Sequence, residues 1–230
     1  MPTAVVIGAS SGIGEAVVRL LLERGWHVTG LARRELAIAS ARYHHAIADV
    51  RAPDYRDVLA GVLDRCGVPD ACIFAAGIGH VLDLTAPSLE VDVFTTNLVG
   101  AVATAQLVLP RMIERKAGHF IGLSSQADRL ITGDSPSYSA SKAGLSLYLE
   151  GLALACRPHG VAVTNVRFGF VDTAMSQGQP VRPFMITAER AALLVERCLA
   201  RRPIRFTFPR RIMPLVWLLG LWPRLRVWLS

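Results

Sequence analysis

A short β-branched run, a glycine-rich turn and an amphipathic stretch follow one another within the first two dozen residues, and that order most restricts what the chain can become. Thr3-Ala4-Val5-Val6-Ile7 has the composition of a strand buried on both faces. Gly8-Ala9-Ser10-Ser11-Gly12-Ile13-Gly14 interrupts it, and apolar periodicity predicts a helix over 13–24. A strand that feeds a helix through glycines builds a phosphate cradle. Backbone without side chains approaches an anion closely, and the helix N-terminus supplies N–H groups and partial positive charge. The candidate cradle is Gly8, Ser10, Ser11, Gly12, Ile13 and Gly14. Glycines in this pattern also make plain tight turns, so the rest of the chain decides between the two.

The alternation continues. Further strands are predicted at 26–31, 44–47, 71–75, 118–123, 161–167 and 204–208, and helices over 53–66, 88–115, 136–157 and 187–200. Alternation at this pitch implies parallel strands joined by right-handed crossovers. The expected fold class is therefore α/β, a doubly wound parallel sheet of Rossmann type with helices on both faces. Hydrophobic residues make up 52% of the 230, which suits a sheet covered on both sides. No linker, repeat or low-complexity tract divides residues 1–208, which read as one domain. A ligand would lie across the carboxyl ends of the strands at the switch point.

Tyr138 and Lys142 stand four residues apart in the predicted helix 136–157, so they share a face. A phenol of pKa about 10 is a poor acid or base at neutral pH, and a neighbouring cation favours its phenolate. Ser125, thirteen residues before Tyr138, could polarise a substrate oxygen while Tyr138 moves the proton. That combination suits alcohol/carbonyl redox chemistry with a hydride carrier.

Taken in order, these landmarks resemble the short-chain dehydrogenase/reductase family in its compact single-domain form, over about residues 2–200. The resemblance implies a catalytic set of Asn97, Ser125, Tyr138 and Lys142, with the thirteen-residue step favouring Ser125 over Ser124. It implies that Lys142 also binds the nicotinamide ribose and that Asn97 holds a water in a proton relay. Asp49-Val50 takes the position that meets the adenine, and Ala75-Ala76-Gly77 the position of the family's Asn-Asn-Ala-Gly motif. Val171 and Thr173, in Arg167-Phe168-Gly169-Phe170-Val171-Asp172-Thr173, would bond the nicotinamide carboxamide. Phe74 and Ala75 replace the motif's asparagines, and Phe168 replaces a proline, which predicts a less rigid loop there.

NAD-binding members carry an acid at the end of the second strand, paired with the ribose 2′-OH. Here Ala32-Arg33-Arg34 follows that strand, and guanidinium groups form bidentate bonds to phosphate. The expectation is NADP(H) as the preferred cofactor, with NAD(H) the alternative, because Glu35 could serve a ribose hydroxyl. The expected function is interconversion of an alcohol and a ketone or aldehyde on a small-molecule substrate. The alternatives are a non-catalytic dinucleotide-binding regulatory protein and a membrane-docking scaffold. The stretch Gln126–Ser137, expected to line the pocket mouth beside Ser125, mixes Asp128 and Arg129 with Leu130 and Ile131 and names no substrate class.

A net charge of +7 raises the question of nucleic acid. The basic residues are scattered without a basic-aromatic stripe, and no nucleic-acid partner is expected. Four scattered cysteines and six histidines show no metal-ligand spacing, so no metal is expected either. The thiols and the absence of a leader pattern point to the cytoplasm. Residues 209–230 stand apart. Ile212 to Trp222 is an apolar run too short to span a bilayer, flanked by Arg210, Arg211, Arg224 and Arg226. Such a tail suits peripheral attachment to the inner face of a membrane or packing in a homo-oligomer.

Overall fold

Seven strands form one parallel sheet: β1 (Thr3–Ile7), β2 (His27–Ala32), β3 (Tyr43–Ile47), β4 (Ala71–Phe74), β5 (Gly118–Ser125), β6 (Val161–Phe168) and β9 (Arg205–Phe208). Their order is β3-β2-β1-β4-β5-β6-β9, with every neighbouring pair parallel. The computed structural model describes residues 1–177, 182–212, 221 and 228–229. Two further short strands, β7 (Val171–Asp172) and β8 (Ile186–Thr187), pair with each other beyond the end of β6. The order reverses between β1 and β4, which makes the carboxyl ends of these two strands the switch point.

Side-chain alternation along the strands splits the core in two. Val5, Ile7, Phe74 and Phe120 point to a layer that includes residues of α2 (Tyr55–Cys66), α4 (Gly100–Glu114) and α5 (Pro136–Cys156). Val6, Ile73 and Ile121 point the other way, toward α1 (Gly12–Glu23) and α6 (Ala188–Arg201). Each fully buried aliphatic or phenyl side chain stabilises the fold by about 1.5–3 kcal/mol relative to exposure. Helix boundaries follow the sequence periodicity to within two residues, with one exception.

The predicted helix 88–115 is three pieces in line: α3 (Glu90–Phe94), a π-helical turn over Thr95–Val99, and α4. The wider turn accommodates two successive buried polar residues, Thr96 and Asn97. Apolar spacing alone does not register one wide turn within a long helical run. The whole run Glu90–Glu114 has the length and hydropathy of a membrane-crossing helix, yet 56% of its most apolar window is buried in the fold.

Phe168 also differs from expectation. It closes β6, is 3% exposed, and pairs in register with Ser125 on one side and Phe208 on the other. A residue with a backbone N–H and a large apolar side chain continues the ladder here, where proline would interrupt it. The expected loosening at this point is not what the structure holds.

Most of the C-terminal tail, residues 213–220, 222–227 and 230, lies outside the described residues, and with it the expected membrane or subunit packing. Arg210 and Arg211 are exposed in a short 3-10 turn, and Trp228 and Leu229 are exposed.

His119 is buried on β5, where its Nε2–H donates to Thr164 Oγ1 at 2.8 Å. Thr164 in turn donates to the Pro203 carbonyl, which fixes the neutral Nε2–H tautomer. Burial, helped by the Arg202 charge, lowers the His119 pKa to about 4 from 6.5. Between those values the unfolded chain binds a proton that the native chain refuses. Stability is therefore full above pH 6.5 and is lost as the pH falls toward 4. On chemical denaturation at pH 7 and pH 4, the parent should lose about 3 kcal/mol more than His119→Gln over that interval.

Candidate active site

The glycine turn is shaped first by close packing. A Cβ on Gly14 would lie 2.1 Å from the Gly8 carbonyl oxygen, and one on Gly8 would lie 2.6 Å from the Ala76 nitrogen. Gly8 also has φ +86, so a side chain there is strained in any case. These contacts bring α1 and the Ala75–Gly77 segment against the end of β1, with Ala75 N–H donating to the Ile7 carbonyl at 2.8 Å. Ser11 is the N-cap of α1 but makes no side-chain capping bond, and Ser10 is partly buried. The first N–H groups of α1 are thus free of a side-chain cap, as a phosphate site requires. Ile13 packs against the core and steadies this end of the helix. A Cβ on Gly12 would stand 3.0 Å from Thr173 Cγ2, so the segment after β7 folds back toward the turn. The uncapped N–H donors are the groups a dinucleotide's pyrophosphate would need.

Asp49 and Val50 follow β3. Both Asp49 oxygens are engaged by Arg51, through its backbone N–H and its Nη2, each at 3.0 Å. Those hydrogen bonds, with the Arg33 charge also contributing, hold the Asp49 carboxyl below its ordinary value. Arg51 reaches on to Asp92 of α3 at 2.5 Å. The Asp-x-Arg spacing was visible in the sequence, but the bond to Asp92, forty-one residues away, was not. Val50 packs against Gly100, where a Cβ would stand only 3.0 Å from it. Arg33, Arg34 and Glu35 are all exposed just beyond β2.

Asn97, Ser125, Tyr138 and Lys142 converge from three different elements. Asn97 Oδ1 accepts from the Ile78 N–H at 2.8 Å, and its Nδ2 donates to the Ile78 carbonyl at 2.9 Å and to Ser141 Oγ at 3.0 Å. The amide therefore clamps the backbone just after Gly77. Ser125 ends β5 and caps the 3-10 turn Gln126–Arg129, its Oγ accepting from Ala127 N–H at 3.1 Å. Its own proton is left for Tyr138, which it hydrogen-bonds. Lys142 Nζ lies 5.9 Å from the Tyr138 ring centroid and donates to the Leu123 carbonyl at 2.9 Å. A Cβ on Gly77 would fall 3.3 Å from Asn97 Oδ1 and 3.4 Å from Lys142 Nζ, so glycine keeps the space beside the ammonium open. Val171 is buried, and the Thr173 hydroxyl is turned toward its own Val171 carbonyl at 3.4 Å.

The titration of the pair departs from the sequence-based picture of a cation lowering a phenol. Burial raises the Tyr138 pKa, and its hydrogen bond with Ser125 offsets only part of that. Burial likewise lowers Lys142, to about 8. Both groups are held toward neutrality because a water-poor site disfavours either charge.

Sequence reasoning missed a second polar layer directly behind this set. The Asp128 carboxylate takes a forked bond from Arg167 of β6, with Nε–Oδ2 at 2.6 Å, and accepts from Ser146 of α5 at 2.6 Å. The sequence placed Asp128 at the pocket mouth; the structure buries its side chain, which removes that charge from the mouth.

Residues 2–181 match the short chain dehydrogenase family. The chain belongs to that family. An uncharacterized oxidoreductase of Myxococcus xanthus is 33% identical over 220 residues, covering 90% of this chain and 87% of that one. Among solved structures, a short-chain dehydrogenase from Streptomyces avermitilis superposes with TM-score 0.83 at 26% identity, covering 99% of this chain and 95% of that one. An actinorhodin polyketide ketoreductase with NADPH gives TM-score 0.79 at 25% identity, covering 90% and 95%. This short-chain dehydrogenase is thus an oxidoreductase whose sheet and switch point match those of its relatives.

Lys142 gives a direct test of how the site is built. Its pKa of about 8 lies below the unfolded 10.5, so the buried ammonium costs stability in full below pH 8. That cost disappears as the pH rises from 8 to 10.5, where the unfolded chain alone keeps the proton. In the ligand-free protein, Lys142→Met should raise the unfolding free energy by roughly 2–3 kcal/mol at pH 7. The gain should shrink through pH 8–10.5 in denaturation experiments.

Proposed function

We propose that this short-chain dehydrogenase interconverts a small-molecule alcohol and the corresponding ketone or aldehyde, with Tyr138 as general acid and base and NADP(H) as the preferred cofactor. The observation that carries the reading is the meeting of Ser125, Tyr138 and Lys142 beyond the strand carboxyl ends, beside a glycine turn whose helix N-terminus lacks a side-chain cap. The nicotinamide, when bound, supplies or takes up the hydride.

The protein's own residues manage the proton and the oxygen. Ser125 Oγ accepts from Ala127 and its hydroxyl bonds to Tyr138, so a bound substrate oxygen would take the serine proton in place of the phenol oxygen. Tyr138, kept protonated by burial, gives its proton to the oxygen of a carbonyl being reduced. Lys142 needs further acceptors for its remaining N–H groups, and ribose hydroxyls in the space beside Gly77 would provide them. Asn97 holds the Ile78 backbone and so keeps the floor of that space in place. A regulatory protein that only senses a dinucleotide has no use for an ammonium buried beside a phenol, since the buried charge costs stability at neutral pH.

Arg33 and Arg34 support the cofactor preference. They are exposed at the end of β2, Arg33 near enough to influence Asp49. A 2′-phosphate placed there would gain charge-assisted bonds worth about 1.5–3 kcal/mol each. Replacing both arginines by alanine should weaken NADPH binding on the order of 100- to 10,000-fold and leave NADH nearly unchanged, measured by fluorescence titration. Equal losses for both cofactors would count against the preference.

Tyr138→Phe should lower kcat for carbonyl reduction by about a thousandfold while NADPH affinity stays within a factor of two or so. Because the Tyr138 pKa is raised, reduction should be insensitive to pH through neutrality, and alcohol oxidation should accelerate toward alkaline pH. A phenylalanine variant with parental turnover would end the general-acid assignment.

A further inference from the structure

Resting on the redox reading above, we infer that Asp128 and Arg167 are positioning residues: their buried ion pair fixes the serine-bearing turn against the helix that carries Tyr138 and Lys142. Both side chains are nearly inaccessible, at 4% and 3% exposure. Removing two charges from water is expensive, and a buried pair commonly contributes no more stability than apolar residues of the same volume. Its presence here calls for another explanation, and its connections supply one.

The carboxylate ties together the segments from which the site is built. Asp128 lies three residues after Ser125, inside the short 3-10 turn that Ser125 caps. Arg167 stands in β6 opposite Ser124 and immediately before the Phe168–Thr173 segment. Asp128 Oδ2 also accepts the single proton of Ser146, one helical turn beyond Lys142 on α5. Charge assistance commits that proton to Asp128. The Ser124 proton is then shared between Ser146 Oγ at 2.8 Å and the Lys142 carbonyl at 3.0 Å. Arg167 Nη1 is within 3.4 Å of Thr207 Oγ1, which fixes the guanidinium from the β9 side. Gln126, in the same turn, donates to the Pro209 carbonyl at 3.1 Å.

The turn is consequently held at its start by the Ser125 cap and near its end by the ion pair. Ser125 Oγ is placed relative to Tyr138 by the rigidity of those few residues. Loss of the Asp128 bonds frees the turn while leaving the hydroxyl, the phenol and the ammonium chemically intact. Displacements on the order of 1 Å at a reacting group cost about a hundredfold in rate.

The experiment compares the parent with Asp128→Leu/Arg167→Met and with Arg167→Lys, using NADPH and a carbonyl substrate that the parent reduces. The double variant removes both charges together, so folding should be retained, with melting temperature equal to or above the parent's. Its cofactor Kd should stay within about twofold while kcat falls thirtyfold or more. Arg167→Lys keeps the charge but loses the fork, and should show a smaller kcat loss with an unchanged substrate KM. If the double variant does not fold, Arg167→Lys decides the matter alone. Variants that fold and keep parental kcat would overturn the positioning role, as would losses confined to cofactor affinity. A parent that reduces no carbonyl with either cofactor would defeat the redox reading and this proposal together. That outcome is distinct from an active parent with equally active variants.

Discussion

A parallel sheet has to be covered on both faces, and nearly everything else in this protein follows from that requirement. Every crossover except the loop from β2 to β3 passes through a helix, so every strand ends on one side of the molecule. Val5 and Ile7 face one helical layer and Val6 faces the other, so the sheet can be buried only when helices cover both sides. The reversal of strand order beside β1 then sets the switch point at the carboxyl edge, where the first glycine turn packs against the end of β4. A chain meeting this packing rule acquires a candidate binding site as a geometric consequence.

The residues gathered at that edge are poor choices for stability alone. Lys142 is buried with one identified acceptor, the half-buried Tyr138 has its pKa raised by desolvation, and Asn97 spends its amide on the Ile78 backbone. Behind them, Arg167 and Asp128 occupy space that leucine and methionine could fill at little cost. Sites of this kind are tolerated because the apolar layers on either side of the sheet supply stability to spare. The same surroundings account for the titration of the pair: one low-dielectric environment opposes charge on the phenol and on the amine alike.

Much of this was legible in the chain. β-branched runs and apolar periodicity gave the strands and helices of the sheet, and the order of turn, phenol and amine gave the candidate site. The parts that escaped share a cause. The π-turn at Thr95–Val99 depends on what Asn97 reaches, namely Ile78 and Ser141. Phe168 reads as a substituted loop residue until β9 is seen alongside it. Asp128 reads as an acid at the pocket mouth until Arg167, thirty-nine residues later, is folded onto it. In each case the partner is remote, and no local pattern encodes a remote partner.

By itself the sequence determined the secondary structure, the parallel topology and the residue types able to carry hydride and proton chemistry, because all three rest on local spacing and side-chain identity. Only the tertiary structure decided which polar groups lose their water and which find partners. That choice sets the direction of the Tyr138 and Lys142 shifts, joins Arg51 to Asp92, and turns Asp128 inward to Arg167. Desolvation and pairing depend on atoms brought together from distant parts of the chain, and those distances exist only once the sheet has closed the two layers around it.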